Sequence, residues 1–284
     1  SARAIPGIEA VSRGRYARTI AIGDQRGVLI VEPAAKNCLT AIVRFPNLGS
    51  LPAIIARVRR VFDLAADPQA IGAHLSRDKL LAPRVAARPG LRVPGAWDGF
   101  ELAVRAILGQ QITVPAATGL AGKLVLSCGE KIDDPGALDL GLTHVFPTPQ
   151  QLAGADFAAI GMPKMRRMAL AALAAAVVAD PLIFGPRRSL DEAVAQLRSL
   201  AGVGEWTAQY IAMRELREPD AFPAADIGLM RAMRDGRGVR PSAAQLLAHA
   251  ERWRPWRAYA ALHLWASEPS ASPIEKVPHD QQAA

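Results

Sequence analysis

The sequence predicts an α+β fold: a small N-terminal antiparallel sheet with helices, followed by a mainly α-helical core in two lobes. Three observations predict it. Short β-branched runs separated by turn residues occupy the chain up to residue 45. Beyond a Pro/Arg/Gly stretch at 83–94, apolar residues recur at helical spacing behind repeated helix-start signatures. Half of the 284 residues are hydrophobic and 21% are charged, enough apolar side chain for a core shared by two or three packed units.

Taken in order, residues 16–22 alternate in polarity, 23–27 read as a turn, and 28–31 and 39–45 are β-branched, which makes a small antiparallel sheet. Residues 51–64 place Ile54, Ile55, Val58 and Val61 on one helical face with arginines between them. Residues 1–88 are therefore expected to form an N-terminal α+β domain and 89–284 a helical core. In that core 99–108 is an apolar-periodic helix that stops at Gly109, Gln110 and Gln111. Thr113 caps the next helix, with Pro115 tolerated in its first turn. Capping-box pairs open three more helices: Thr148 with Gln151, Ser189 with Glu192, and Ser242 with Gln245. Pro149 and Pro255 stand just inside helix starts. From about residue 268 a polar tail is expected to fray.

The formal charge of +8 favours a polyanionic partner, nucleic acid or a membrane surface, although an arginine-rich coding bias gives the same number. No run approaches the roughly 20 apolar residues of a membrane span, so a membrane partner is not expected. Two cysteines, Cys38 and Cys128, are too few for a disulfide framework or a four-cysteine iron–sulfur cluster, which suits a reducing cytoplasm. The five histidines lack metal-ligand spacing.

The most informative stretch runs Leu197, Leu200, Gly202, Val203, Gly204, Thr207, Ala208. An amphipathic helix enters Gly-Val-Gly and a second helix starts at once. Two glycines permit a tight reversal with positive φ and bare the backbone N–H groups at the second helix's N-terminus, where an anion can approach. Val203 would pin the two helices together. The expected result is a phosphate grip at Gly202, Val203, Gly204 and Thr207 that reads no bases; an ordinary helix–turn–helix connection shares the glycines.

In this form the segment resembles the hairpin of the helix-hairpin-helix DNA glycosylase superfamily, whose catalytic Asp follows shortly after. Asp226 stands there, in the run Phe222, Pro223, Ala224, Ala225, Asp226, Ile227, Gly228. Residues 4–9, 87–95, 104–110, 146–150, 161–163 and 250–265 are similar to one branch, the bacterial 3-methyladenine DNA glycosylase II family of alkylation repair. The resemblance covers nearly the whole chain; the start is shorter than is usual in that branch.

Breaking a C–N glycosidic bond passes through an oxocarbenium-like state, which a nearby carboxylate stabilises. The resemblance gives that role to Asp226; an Asp ahead of an apolar run is otherwise a helix N-cap, and the two roles are compatible. Trp206 occupies the position of the Schiff-base lysine of bifunctional relatives and cannot form an imine, so the resemblance implies base removal without strand incision. Trp265, Trp206 and Tyr210 match the family's pocket aromatics, suited to a flipped and cationic purine; by spacing alone all three fit a core equally well. Gln111 stands where the family's filler, commonly leucine, enters the hole left by the flipped base, although a helix-end glutamine would look the same. Lys164, Arg166 and Arg167 face either phosphate or solvent.

The family hairpin holds a monovalent cation through main-chain carbonyls, here those of Arg198, Leu200 and Val203. No other cofactor is implied. Two further departures stand beside the site: Ala225 replaces an Asp, and Ala266 a pocket Tyr, which implies a roomier, less polar pocket. The implied protein is a monomer acting on damaged bases in duplex DNA. Two rivals remain at this point: a glycosylase for oxidised or mismatched purines, and a non-catalytic helix-hairpin-helix DNA-binding module.

Overall fold

A computed structural model describes residues 3–35 and 37–267; the tail expected from about 268 lies outside the described residues. Four strands, β1 (Glu9–Ser12), β2 (Arg15–Ile22), β3 (Gln25–Ala34) and β4 (Cys38–Arg44), form one antiparallel meander in chain order. Arg13 and Gly14 turn β1 into β2 with φ of 50° and 77°, the mirror-image geometry that suits strand twist. β1 has no sequence signature because it is four residues long and only half-buried.

Both faces of the sheet are covered. Ile20, Leu29 and Val31 pack with Ile54 and Val58 of α1 (Leu51–Val61) and with Trp97, whereas Ala17, Val28 and Ile30 meet Ile132, Ala137 and Leu142 from further along the chain. Two short helices follow α1: α2 (Pro68–Leu75), capped by the Asp67 carboxylate, and α3 (Ala82–Ala87). The 83–94 stretch was expected to be a connection throughout, yet its start is helical. Pro83 sits in the first turn of α3, where it has no hydrogen bond to lose.

The helical part comprises α4 (Gly99–Leu108), α5 (Val114–Cys128), α6 (Pro135–Leu138), α7 (Pro149–Ala153), α8 (Lys164–Ala179), α9 (Leu190–Arg198), α10 (Glu205–Arg214), α11 (Ile227–Ala232), α12 (Ala243–Ala250) and α13 (Arg257–Ser267). α4 packs against α5, α8 and α10; α13 packs against α11 and α3. One buried cluster runs through both groups and takes in Ile71, Leu75 and Leu81 as well. Thr113 caps α5, and the Thr148/Gln151 and Ser242/Gln245 boxes close in both directions. The Ser189 box closes only halfway: Ser189 accepts from Glu192 N–H, but the Glu192 carboxylate reaches Arg188 N–H instead. Pro255 departs from expectation, lying ahead of α13, after a 3-10 turn and in a cis peptide bond.

Two buried ionic junctions hold the sheet unit against the helices. In the first, Arg18 meets Glu101 at 2.6 Å, and Arg105 meets Glu101 at 3.0 Å and Glu9 at 2.9 Å. Burial alone would raise the Glu9 carboxyl, but Arg105 and Arg18 outweigh it and hold it at about 2. The second centres on Asp63, whose carboxylate accepts from Val93 N–H at 3.0 Å, Tyr259 O–H at 2.9 Å and the Arg217 guanidinium. Burial beside that carboxylate pushes the Tyr259 phenol well above its usual value. The first junction fixes α4, whose C-terminal turn carries Gln110 and Gln111.

Candidate active site

The hairpin forms as its glycines require. Gly202 has φ of +80°, Val203 is buried between the helices, and Gly204 leads into α10 with no side chain capping that helix. Its first-turn N–H groups are thus available to an anion. The two glycines serve different ends. A Cβ on Gly202 would come within 2.5 Å of the Ala169 Cβ in α8, whereas one on Gly204 would meet nothing. Gly202→Ala is expected to cost about 2–4 kcal/mol of stability in urea unfolding, from left-handed backbone strain plus overpacking. Gly204→Ala is expected to stay within about 1 kcal/mol of wild type in the same measurement, because its added methyl would meet nothing.

The Thr207 side chain is buried and its hydroxyl accepts from Gln110 Nε2 at 3.1 Å. The part expected of Thr207 in a phosphate grip therefore falls to its backbone N–H, in the first turn of α10.

Asp226 is the N-cap of α11, its Oδ1 accepting from Leu229 N–H at 2.9 Å. The carboxylate does more than cap. Oδ1 also accepts from Trp265 Nε1 at 2.8 Å, and Oδ2 accepts from Trp206 Nε1 at 2.9 Å. Trp206 arrives from the first turn of α10 and Trp265 from the last turns of α13, so three helices converge on one half-buried acid. Trp206 lies face-on to Tyr210, with ring centroids 5.2 Å apart and 9° between planes. The guanidinium of Arg214, one turn on, lies 5.3 Å from the Tyr210 centroid and donates to its hydroxyl. Burial raises the Tyr210 phenol, but Arg214 and Arg3 outweigh it and bring it below its ordinary value.

Sequence reasoning missed Gly228. A Cβ there would stand 2.9 Å from Asp226 Oδ1 and 3.3 Å from Trp265 Cδ1, so only glycine lets the indole close on the carboxylate. The departures Ala225 and Ala266 flank this group, exposed and half-buried respectively.

Gln111 is exposed just past the end of α4, with φ of +58°. Lys164 is exposed at the start of α8, whereas Arg166 is half-buried and donates to the Gln110 carbonyl at 2.6 Å. The carbonyls of Arg198, Leu200 and Val203 bracket the hairpin turn. Arg198 ends α9, where helix carbonyls lack intrahelical donors, and Leu200 O accepts only from Val203 N–H at 3.0 Å among the described residues. Neutral main-chain oxygens so placed fit a hard monovalent cation. Among the described residues no cluster of His, Cys, Asp and Glu could hold a metal, and no helix is long and apolar enough to cross a membrane. A cleft of about 460 Å³ between the sheet and residues 130–134 contains none of the candidate residues.

Comparison with known proteins gives consistent matches. The AlkA N-terminal domain family matches residues 1–98, and the HhH-GPD superfamily base excision DNA repair protein family matches residues 104–258. The chain is 38% identical to DNA-3-methyladenine glycosylase 2 of Escherichia coli, across 94% of this chain and 91% of that protein. It is 39% identical to a probable bifunctional transcriptional activator/DNA repair enzyme AlkA of Mycobacterium tuberculosis, across 100% of this chain and 56% of that protein. The chain thus spans little more than half the length of this relative. In fold it is similar to a 3-methyladenine DNA-glycosylase from Archaeoglobus fulgidus, with a TM-score of 0.78, 22% identity, and 90% and 88% of the two chains covered. An 8-oxoguanine glycosylase/lyase of Clostridium acetobutylicum in complex with double-stranded DNA shares the fold at a TM-score of 0.72 and 20% identity, over 91% and 86% of the chains.

Proposed function

Because the chain belongs to the HhH-GPD superfamily of base excision DNA repair proteins, we propose that it is a monofunctional DNA glycosylase acting on alkylated bases in duplex DNA. It hydrolyses the N-glycosidic bond of bases such as 3-methyladenine and 7-methylguanine and leaves an abasic site. The observation that carries this reading is the Asp226 carboxylate, clasped by the indole N–H groups of Trp206 and Trp265. The names of the Escherichia coli and Mycobacterium tuberculosis relatives support the reaction and the partner.

On this reading the hairpin N–H groups grip a phosphate while Gln111 enters the stack from the α4 turn and fills the hole left by the flipped base. The carbonyls of Arg198, Leu200 and Val203 would hold a monovalent cation, whose charge would reinforce the grip. The flipped base lies against the aromatic faces of Trp206, Tyr210 and Trp265, which favour a cationic purine by roughly 0.5–2 kcal/mol. As the C–N bond breaks, electron density leaves with the base and positive charge grows on C1′. The Asp226 anion, fixed by three N–H donors, stabilises that charge without having to reorganise. Water then adds to C1′ and its proton passes to solvent. Trp206 offers no amine to attack C1′, so the phosphodiester backbone stays intact. The enzyme works as a monomer on nucleoid DNA in a bacterial cytoplasm.

The test is a panel of duplexes carrying 3-methyladenine, 7-methylguanine, hypoxanthine or 8-oxoguanine, scored separately for base release and strand incision. Release of the alkylated bases without incision is expected. Release of 8-oxoguanine alone moves the enzyme to the oxidised-purine class, and binding without any release leaves a DNA-binding module.

A further inference from the structure

We infer that Gln110 is a positioning residue that couples the hairpin's grip on the backbone to the insertion of Gln111. Its side-chain amide donates both of its hydrogens into the hairpin, to Gly202 O at 2.8 Å and to Thr207 Oγ1 at 3.1 Å. Its own carbonyl accepts from Arg166 at 2.6 Å, which ties it to the start of α8. α8 in turn meets the hairpin where Ala169 packs on Gly202. Gln110 is therefore joined to both neighbouring elements immediately before the chain reverses at Gln111 with φ of +58°.

The physical consequence is directional. Gln111 is exposed and, among the described residues, no hydrogen bond holds its side chain, so its placement depends on the preceding residue. Gly202 O and Thr207 flank the N-terminus of α10, where the phosphate is held. A hairpin seated on the backbone thus fixes, through one amide, where the wedge stands relative to the helix axis. The Thr207 hydroxyl is buried as the acceptor for this amide, and its burial has a purpose on this account.

The inference rests on the glycosylase reading and deepens it. Its test compares a 7-methylguanine paired with cytosine against the same lesion opposite an abasic tetrahydrofuran, where little pairing has to be broken. Gln110→Glu keeps the side chain's size and removes both donors; Gln110→Ala removes the side chain. Both are expected to slow single-turnover release from the paired lesion by about tenfold, the scale of one or two lost hydrogen bonds. Release from the lesion opposite the tetrahydrofuran is expected to change far less. Equal slowing on both duplexes would mean that Gln110 only supports the fold, and no slowing on either would mean that it positions nothing; each result overturns the inference. A 2-aminopurine beside the lesion reports unstacking without chemistry. Its fluorescence rise on binding is expected to shrink in both variants, and an unchanged rise overturns the coupling even if no base is released. Failure of the wild type to release any base would instead overturn the glycosylase reading, with the fluorescence still deciding the role of Gln110.

Discussion

Asp226→Asn is expected to lower the single-turnover rate of base release by about 10²–10³-fold, the loss typical when one preorganised electrostatic partner of a transition state is removed. The substitution isolates charge from shape. An asparagine carbonyl in place of Oδ1 can still accept from Leu229 N–H and Trp265 Nε1, so the start of α11 and the Trp265 contact survive. The amide nitrogen would face Trp206 Nε1, donor against donor, and that single contact is lost. Stability should therefore fall by only about 1 kcal/mol, and binding to an abasic duplex should persist. Trp206→Phe provides the control, since it removes the same contact while keeping the carboxylate. If Asn and Phe variants slow release equally, the indole contact and not the charge accounts for the loss. An unchanged rate in Asp226→Asn removes the residue from the chemistry altogether.

The hairpin was legible in the sequence because its demands are local: Gly202 needs positive φ, and Gly204 needs an open Cβ position beside a helix start. The caps at Thr113, Thr148 and Ser242 were legible for the same reason, each acting across three residues. Asp226 could be placed as a cap from its neighbours, but its indole partners stand 20 and 39 residues away, and spacing alone cannot distinguish such tryptophans from core packing. Gln110 and Thr207 form a pair across 97 residues, so nothing local marks the threonine hydroxyl as an interior acceptor. Gly228 carried no signal because its constraint is set by the side chains of Asp226 and of Trp265 on α13, whose positions only the fold fixes. Pro255 was misplaced by two residues, since a proline preceding a helix and one opening it look alike in sequence. Asp63 is the extreme case: a lone acid after an arginine-rich helix, whose partners at 93, 217 and 259 are reached only in three dimensions.

That isolation makes Asp63→Ala the substitution with the largest expected cost in stability, about 3–5 kcal/mol in urea or thermal unfolding. Asp63 is buried, with 5% of its surface exposed, and its carboxylate satisfies three donors from three separate segments. Removing it leaves the partly exposed Arg217 guanidinium and the buried Tyr259 hydroxyl and Val93 N–H without that acceptor. The penalty is mostly the desolvation of those donors, not the loss of attraction. It falls on the junction between the end of α1, the irregular segment 92–94 and α13, and α13 carries Trp265. Base release should therefore decline alongside stability, through displacement of the Trp265 indole from the Asp226 carboxylate. Asp63→Asn separates the two effects, since its amide oxygen can still accept from Tyr259 and Val93 while the ion pair with Arg217 is lost. It is expected to recover about half of the stability. A cost below about 1 kcal/mol for Asp63→Ala, the range of an exposed ion pair, would show that water reaches this junction and that it adds little to the fold.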